Sequence, residues 1–313
     1  MAFLRGFGCY LPARVVDNAE LAPLVGVDPA WLLRSTGIEQ RRFAADGETV
    51  SSLGTEAARD CLKRCAAAVG EIGLVIAASG SGEFRFPGPA TAIARGLGIP
   101  GVPAIDLPMA SAGSLFGLSL AADMAHRYGN VLVVGSEIMS RVVRLEPPGR
   151  DTAILFGDGA GAALVSATGG FAEIRDSVLA SDGEFADALH LCLDAPLHMD
   201  GRTIILHASR KMPRAILQLL ERNQLQPAEV GVYILHQANL NLITRVAHAV
   251  GAPESRFFSN LARYGNTSSA SMLIAAAEWR ASQEELTQPV VFAAFGAGLN
   301  WGAVLATPLA ATP

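Results

Sequence analysis

Residues 71–76, EIGLVI, and residues 229–234, EVGVYI, are near-copies of each other that lie half the chain apart. Each follows a helical pattern and is a short, continuous apolar run, typical of a strand buried inside an α/β sheet. Solenoid repeats recur every roughly 20–50 residues, so a repeat at half the chain length predicts two related α/β halves instead. We expect the first half at 1–167 and the second at 168–313.

Helix and strand patterns alternate along most of the chain, which is typical of an α/β protein. Residues 151–167, DTAILFGDGAGAALVSA, are predicted to form two strands around a glycine turn. The other patterns predict helices at 51–69, 89–97, 112–127, 208–223, 240–250 and 267–282, and strands at 72–78, 103–107, 130–136, 229–234, 290–295 and 302–306.

The composition indicates a large apolar core and argues against several classes of partner. Half of the 313 residues are hydrophobic and 17% are charged, so the chain does not have the composition of a disordered protein. The net charge is −5 and no cluster of Lys and Arg is present, which disfavours a nucleic-acid partner. No apolar run reaches the roughly 18 residues of a membrane helix, and the N-terminus has no continuous signal-peptide core. We expect a cytoplasmic protein without a membrane partner.

The four cysteines do not predict a metal site. Cys61 and Cys65 have helical i, i+4 spacing, and no second pair or histidine set accompanies them. We expect these two in a core or on a helix face, no metal, and a reducing compartment for all four, including Cys9 and Cys192.

Residues 106–125, DLPMASAGSLFGLSLAADMA, contain the first candidate for chemistry. A strand is predicted to end near Leu107 and a helix to begin at Ser111 or Ala112. Unpaired N–H groups and the helix dipole at such a position favour negative charge. Small neighbours leave room for a substrate to approach Ser111. The alternative is that Ser111 is only the N-cap of the helix.

Two polar positions in the second half are further candidates. His236 directly follows a buried strand, at the carboxyl end where open α/β sheets place ligands. Asn266 follows Gly265 and precedes a run of small hydroxyl residues that begins a helix. Each also has a structural alternative, a buried histidine for His236 and a helix cap for Asn266.

Residues 293–305, AAFGAGLNWGAVL, place a glycine-rich turn between two strands. Bare backbone N–H groups of such a turn can approach a substrate oxygen, although the segment alone predicts only a tight hairpin. Neither this turn nor the early GFGCY forms the strand-then-helix GxGxxG of a dinucleotide site.

Taken together, these segments resemble β-ketoacyl-acyl-carrier-protein synthase III, the enzyme that starts bacterial fatty acid synthesis. The resemblance runs nearly end to end, through GCYLPARVVDN, WLLRSTGIEQRRFA, ETVSSLGTEAA, FGDGAGA, HQAN, YGNTSSAS and FGAGLNWG. It implies a thiolase-like fold in which two pseudo-symmetric α/β halves form αβαβα layers. It also implies a homodimer that uses acyl-CoA as a substrate and needs no cofactor.

The resemblance also implies a mechanism. In the family an acyl group passes from acyl-CoA to a nucleophile at a helix N-terminus, the position of Ser111. A histidine and an asparagine, here His236 and Asn266, then support decarboxylation of malonyl-acyl carrier protein, and the carbanion attacks the acyl-enzyme. The backbone N–H groups of Ser111 and Ala297 are expected to form the oxyanion hole for acyl transfer.

Eight positions match family residues that bind substrate. Phe156 resembles a phenylalanine beside the nucleophile, and Phe86 resembles a residue that reaches into the acyl pocket of the partner subunit. Six positions align with the lining of the CoA tunnel: Trp31, Arg150, Gly201, Ile205, Ala238 and Asn239.

The chain departs from the family pattern at three places. Ser111 stands where the family has a cysteine, and a serine hydroxyl needs a base, for which His236 is the candidate. Asn241 stands where an arginine commonly docks the carrier protein, leaving Arg245 on that helix. The arginine usual before TGI is displaced, since Ser35 follows Arg34.

The leading hypothesis is therefore an acyltransferase that condenses an acyl group with a malonyl thioester in fatty acid or polyketide initiation. One alternative is a non-condensing acyltransferase or thioesterase that passes the acyl group to an alcohol, an amine or water. Another is a non-catalytic partner subunit of a condensing enzyme.

Overall fold

The computed structural model of the chain describes residues 1–192, 194–283 and 285–309. The helices are α1 (Asn18–Val25), α2 (Pro29–Thr36), α3 (Val50–Arg64), α4 (Pro89–Leu97), α5 (Gly113–Tyr128), α6 (Arg150–Ala153), α7 (Gly201–Arg222), α8 (Leu240–Val250), α9 (Leu261–Tyr264) and α10 (Ser271–Ala281). The strands are β1 (Ala2–Tyr10), β2 (Arg14–Asp17), β3 (Gln40–Phe43), β4 (Ile72–Ala78), β5 (Ala104–Leu107), β6 (Asn130–Ile138), β7 (Asp158–Ser166), β8 (Ala172–Ser181), β9 (Leu189–His190), β10 (His198–Met199), β11 (Val232–Leu235), β12 (Phe257–Phe258), β13 (Val290–Gly296) and β14 (Asn300–Pro308). Short 3-10 turns connect several of them.

One ten-stranded sheet forms the centre of the molecule, in the order β12-β11-β13-β14-β8-β1-β7-β6-β4-β5. Five neighbouring strands come from residues 2–166 and five from residues 172–308, and the two sets meet where β1 pairs antiparallel with β8. The strand order of one set mirrors that of the other. Both β4 and β11 pair in parallel with their neighbours, as expected for continuously apolar strands.

Three apolar clusters divide the helices into layers. The first packs α3 and α4 on the strands of the first half, and the second packs α7 and α8 on the strands of the second half. The third cluster places α5 and α10 between strands of both halves. The two five-stranded sets of the sheet therefore form two layers with α5 and α10 between them, and the order helix, sheet, helix, sheet, helix confirms the predicted αβαβα thiolase-like fold.

The prediction of two strands around a glycine turn at 151–167 is wrong. Residues 150–153 form α6, and a single buried strand, β7, follows. The glycines serve close packing, because a Cβ atom on Gly161 would lie 2.6 Å from Leu273 Cβ and one on Gly159 would lie 3.1 Å from Ile274 Cδ1. They allow α10, and the site residues that precede it, to approach the sheet.

Two predicted helices differ most from the structure in their bounds, and α10 also begins later than predicted, at Ser271 instead of 267. The helix predicted at 51–69 ends at Arg64, since Ala66 adopts a left-handed backbone with φ of 49°. The helix predicted from 208 begins at Gly201, where the Asp200 carboxylate accepts the N–H groups of Arg202 and Thr203. The earlier start matters for function, because it places two predicted CoA-lining residues, Gly201 and Ile205, on the first turns of α7.

Cys61 lies in the apolar core, as its spacing on a helix predicts. Cys61 is buried, and its Sγ donates to the backbone carbonyl of Gly6. Within the described residues no three His, Cys, Asp or Glu side chains are grouped so that they could hold a metal ion. None of the described helices has both the length and the apolar character needed to cross a bilayer.

Candidate active site

Ser111 occupies a tight turn between β5 and α5. Its φ is 63°, a left-handed conformation that non-glycine residues rarely adopt, and the N–H of Ala112 donates to the carbonyl of Ala110 across it at 2.7 Å. The side chain is 7% exposed. The turn places the hydroxyl immediately before the N-terminus of a 16-residue helix.

The alternative that Ser111 is the N-cap of α5 is wrong. The N-cap is Ala112, and no side chain caps this helix. Within the described residues the Ser111 hydroxyl has no hydrogen-bond partner, while its backbone N–H donates to Ser268 Oγ at 3.0 Å. The strained turn therefore presents a hydroxyl that makes no hydrogen bond to the described part of the protein. Such a combination is typical of a functional residue.

The glycine turn after β13 lies directly against Ser111. A Cβ atom on Gly296 would lie 2.2 Å from the carbonyl oxygen of Ala110 and 2.9 Å from Ser111 Cβ. Only glycine fits there, and Ala297, predicted to supply an oxyanion-hole N–H, is the next residue. The side chain of Asn300 donates to the carbonyl of Ala297 and so helps to fix the orientation of this turn.

His236 follows β11 and is held by two hydrogen bonds. Its backbone N–H donates to Ala293 on β13 at 2.8 Å, and its ring Nδ1 lies 2.6 Å from Ser271 Oγ. The Ser271 oxygen also accepts the backbone N–H of Gln237 at 3.1 Å. Among the described residues, Nδ1 is the acceptor that remains for the Ser271 hydroxyl proton. We therefore assign the neutral ring with its proton on Nε2.

Burial keeps this ring neutral. His236 is 5% exposed, and removal from water lowers its pKa from 6.5 to about 4, with a hydrogen bond to the backbone of Ser268 opposing the shift. At neutral pH the ring is thus a hydrogen-bond donor through Nε2. It is a weak base, and it makes no hydrogen bond to the Ser111 hydroxyl within the described residues.

Asn266 is fixed by its own backbone and by its side-chain oxygen. Its N–H donates to the carbonyl of Leu155 at 2.9 Å, and its carbonyl accepts from Gly157 at 3.0 Å. The Oδ1 atom accepts the N–H of Ser268 at 2.9 Å. The alternative that Asn266 is a helix cap is wrong, because Thr267 and Ala270 are the N-caps of the two helices that follow, and the contact with Ser268 uses only Oδ1. The Nδ2 group, which has no partner within the described residues, remains as a donor.

Ser268 joins the three predicted catalytic residues. Its Oγ accepts the N–H of Ser111, its N–H donates to Asn266, and its backbone contacts the ring of His236. Like Ser111, it has a left-handed backbone, with φ of 47°. The backbone of Ser111 and the side chains of His236 and Asn266 thus contact one residue, although they come from distant parts of the chain.

Comparisons with known proteins show the family of the chain. Residues 105–183 match the family model for 3-oxoacyl-[acyl-carrier-protein] synthase III, and residues 220–307 match the model of its C-terminal part. The β-ketoacyl-[acyl-carrier-protein] synthase III of Oleidesulfovibrio alaskensis is 36% identical, over 97% of this chain and 98% of the relative. The chain belongs to the 3-oxoacyl-[acyl-carrier-protein] synthase III family.

Solved structures of synthase III enzymes have the same fold. The crystal structure of the enzyme from Aquifex aeolicus has a TM-score of 0.93 and 33% identity, and covers 98% of this chain and 100% of that one. The priming β-ketosynthase of a polyketide biosynthetic pathway has a TM-score of 0.90 and 31% identity, and covers 98% and 96%. The family and the fold predicted from the sequence motifs are therefore confirmed.

The positions aligned with the CoA tunnel of the synthase III family lie on neighbouring elements. Trp31 is on α2, and the side chains of Asn239 and Asn241, at the start of α8, both donate to the carbonyl of Ser35 at the end of α2. Ala238 immediately precedes this N-cap. The contact explains the polar residue at 241, because its amide joins the two helices at the place where the family commonly has an arginine.

The remaining tunnel positions lie where α6 approaches the start of α7. Arg150 is exposed and pairs with Asp151 at 3.2 Å. The short strand β10 contacts α6 and leads directly into Gly201 and Ile205 of α7. Ile205 is exposed, as an apolar side chain at the rim of a substrate entrance would be.

The two phenylalanines predicted to contact substrate have contrasting environments. Phe156 is buried, and its backbone forms a parallel bridge with Asn266, so it borders the asparagine of the site. Phe86 is 81% exposed on the loop before α4, and Phe84 beside it is 71% exposed. A loop with two exposed aromatic side chains is suited to contact another molecule.

The sequence reasoning did not identify Ser268, Ser271 or Gly296 as site residues. For Ser268 and Ser271 the signal in the sequence is the density of small hydroxyl residues in GNTSSAS, which predicts a helix start, and for Gly296 it is the glycine-rich turn of residues 293–305. Ser268 and Gly296 contact residues of the first half of the chain, whereas Ser271 contacts His236 on another element of the second half, and these contacts appear only in the folded protein.

Proposed function

We propose that this chain transfers an acyl group from acyl-CoA to Ser111 and condenses it with a malonyl thioester. Ser111 is the acyl acceptor, and His236 and Asn266 stabilise the enolate that forms when the malonyl group loses carbon dioxide. The comparisons do not favour the alternatives of a non-condensing acyltransferase, a thioesterase or a non-catalytic subunit.

The observation that carries the proposal is the pair of donors held beside Ser111. The contact of His236 Nδ1 with Ser271 assigns the ring proton to Nε2, and Asn266 is fixed with its Nδ2 group unpaired among the described residues. Two preorganised N–H donors in a buried site are what a thioester carbonyl needs as it becomes an enolate. The contact of His236 Nδ1 with Ser271 and that of Asn266 Oδ1 with Ser268 keep the acceptor atom of each side chain away from the substrate.

Acylation of Ser111 is expected to be slow. The helix N-terminus stabilises negative charge on a nucleophile, but a serine hydroxyl also requires a base to remove its proton. His236 presents a protonated nitrogen and has a pKa of about 4. The chain is therefore proposed to accept acyl groups more slowly than a cysteine-bearing relative would.

The test is intact mass spectrometry after incubation with a series of acyl-CoAs. An adduct of acyl mass is expected on the unaltered chain and not on Ser111→Ala. Ser114→Ala is the matched control, since Ser114 is fully buried on α5, the helix that follows Ser111, and its hydroxyl has no partner among the described residues. The absence of an adduct with every chain length would contradict the acyl-transfer part of the proposal.

We further propose that the malonyl group arrives on an acidic carrier protein that contacts α7 and α8. Arg210 and Arg214 lie one turn apart on α7, Arg245 is exposed on α8, and the two helices pack together. The recorded ion pairs of α7 use Lys211 and Arg222 instead. A hollow of about 680 Å³ lies between Arg210, Arg214 and the end of α8.

These arginines would supply the positive charge for docking that is missing at Asn241, where the family commonly has an arginine. Arg214→Glu is expected to raise KM for the malonyl carrier protein and to leave KM for malonyl-CoA unchanged. Equal changes for both substrates would indicate damage to the site and would contradict docking at α7.

The exposed loop of Phe84 and Phe86 supports a homodimer in which this loop contacts the partner. Light scattering of the purified chain tests the assembly. A dimer that becomes a monomer in the Phe86→Ser variant is expected, and a monomeric unaltered chain would contradict the proposal.

A further inference from the structure

We propose that Glu137 is a positioning residue, which holds the turn that carries Ser268 against the turn of Ser111 and so sets the rate at which Ser111 is acylated. This inference rests on the acyl-transfer part of the proposed function. Glu137 is the next-to-last residue of β6 and is fully buried. Its carboxylate joins two segments of the chain that border the site.

The carboxylate of Glu137 accepts hydrogen bonds at both oxygens. Oε1 accepts the N–H and the hydroxyl of Ser269, at 3.3 and 2.7 Å. Oε2 accepts the hydroxyls of Ser79 and Ser81, at 3.2 and 2.5 Å, and the N–H of Ser81 at 3.0 Å. The N–H of Gly80 lies 3.1 and 3.0 Å from the two oxygens. Within the described residues no lysine, arginine or histidine pairs with this carboxylate, so these donors replace the water that it lost on burial.

The contact with Ser269 also acts on the residue before it. Ser268 has a left-handed backbone with φ of 47°, a conformation that a serine keeps only where its surroundings impose it. Asn266 Oδ1 accepts the N–H of Ser268, and Glu137 holds the next residue through two hydrogen bonds. A Cβ atom on Gly135 would lie 2.4 Å from the carbonyl oxygen of Ser269, so the strand of Glu137 lies directly against this turn.

The contact with residues 79–81 acts on the turn of the nucleophile. A Cβ atom on Gly80 would lie 3.0 Å from Ala110 Cβ, so this segment packs against the residue before Ser111. One carboxylate thus holds both turns, and the hydrogen bond from the Ser111 N–H to Ser268 Oγ joins them. That bond helps to keep the left-handed backbone that presents the Ser111 hydroxyl. Displacement of a reacting group by about 1 Å can lower a rate about 100-fold.

Glu137→Gln keeps the shape of the side chain and replaces one oxygen by an NH2 group. In either orientation of the amide, this group faces a backbone N–H, that of Ser269 or that of Ser81, and leaves it without its acceptor. Ser136→Ala is the matched control. Ser136 precedes Glu137 on the opposite face of β6, and its buried hydroxyl donates to the carbonyl of Val50 at 2.7 Å. The control therefore loses a buried hydrogen bond on the same strand without changing the site.

Two measurements are made on each folded variant. Hydrogen exchange of the Ser111 amide, measured by NMR, needs no substrate and should be about tenfold faster in Glu137→Gln, because the bond to Ser268 is weakened. The acylation rate at saturating acyl-CoA, measured by intact mass spectrometry, should fall about 10- to 100-fold. The KM for acyl-CoA should change less than about twofold, because binding of the CoA part is not affected. Ser136→Ala should be less stable to urea but should keep all three values.

The outcomes separate this inference from the proposed function. Faster exchange and slower acylation in Glu137→Gln, and in neither case in Ser136→Ala, support both. Equal exchange in the two variants, or an adduct that forms no more slowly in Glu137→Gln than in Ser136→Ala, overturns the inference and leaves the proposed function standing. If the unaltered chain forms no adduct, the proposed function is contradicted, and the exchange rates alone decide whether Glu137 positions Ser111. If Glu137→Gln does not fold, Ser269→Ala removes one donor to the carboxylate and gives the same comparison.

Discussion

Replacing Ser111 with cysteine should raise the rate of acylation by acyl-CoA about 100-fold or more. The replacement changes one atom of the nucleophile and keeps its turn, its helix and its neighbours. A cysteine thiol at a helix N-terminus has a pKa of roughly 3.5–7.5, so at pH 7.5 half or more of it is already thiolate. The serine hydroxyl remains protonated throughout this range.

The magnitude follows from the base that the site lacks. General-base assistance is typically worth about 10²–10⁴ in rate. His236, with Nε2 protonated and a pKa of about 4, supplies little of it to Ser111. A thiolate needs no such assistance, so the lower end of that range is the expected gain. The hydrogen bond to Ser268 Oγ is donated by the backbone N–H of residue 111. It is therefore the same in the unaltered chain and in Ser111→Cys.

Time-resolved intact mass spectrometry with one acyl-CoA measures the acylation rate of each protein. Ser114→Cys is the matched control, because this fully buried position on α5 should gain no adduct. An acylation rate in Ser111→Cys no faster than that of the unaltered chain would refute the reasoning. It would mean that some group already removes the proton of Ser111.

Three further perturbations test the geometry of the site. Because φ at Ser111 is 63°, Ser111→Gly should be more stable to urea than Ser111→Ala by about 1 kcal/mol, and equal stability would show that the turn is not strained. Gly296→Ala places a Cβ atom 2.2 Å from the carbonyl oxygen of Ala110 and should destabilise the fold by about 2 kcal/mol or more, whereas Gly169→Ala, with open space around it, should not. The folded-state pKa of His236 is about 4 against 6.5 for an exposed ring, so the unfolded chain binds the proton first as the pH falls. Stability from this group is present above pH 6.5, falls by about 2 kcal/mol between pH 7 and pH 5, and is lost fully below pH 4. Urea denaturation at several pH values should give a smaller decline in His236→Gln, and an equal decline would contradict the neutral buried ring.

The helices whose bounds the sequence predicted correctly begin and end at residues that favour helix termini. The bounds of α4 and α8 match the predicted helices, because each ends in a glycine with a left-handed backbone, Gly98 and Gly251. Pro89 also marks the start of α4, and Asn239 caps α8. Glycine also has other functions, and there the prediction was wrong. The glycines of β7 were predicted to form a turn, but they allow a helix to pack closely against the strand.

The candidate site was predictable only in part. Ser111, His236 and Asn266 were identified because each lies in a short motif of its own. The proton on His236 could not be predicted, because it depends on Ser271, a residue of another element that the sequence does not mark as a partner. The occupied N–H of Ser111 likewise depends on the left-handed backbone of Ser268, a conformation that serine rarely adopts.

The hydrogen bond between Ser111 and Ser268 spans 157 residues and joins the two halves of the sheet. During synthesis, therefore, the nucleophile leaves the ribosome long before the residues that surround it. A growing chain that has folded only as far as β7 carries Ser111 but does not yet contain His236, Asn266 or Gly296. Such a nascent chain cannot process a thioester, so reactivity begins only when nearly the whole polypeptide has been made and its second half has docked.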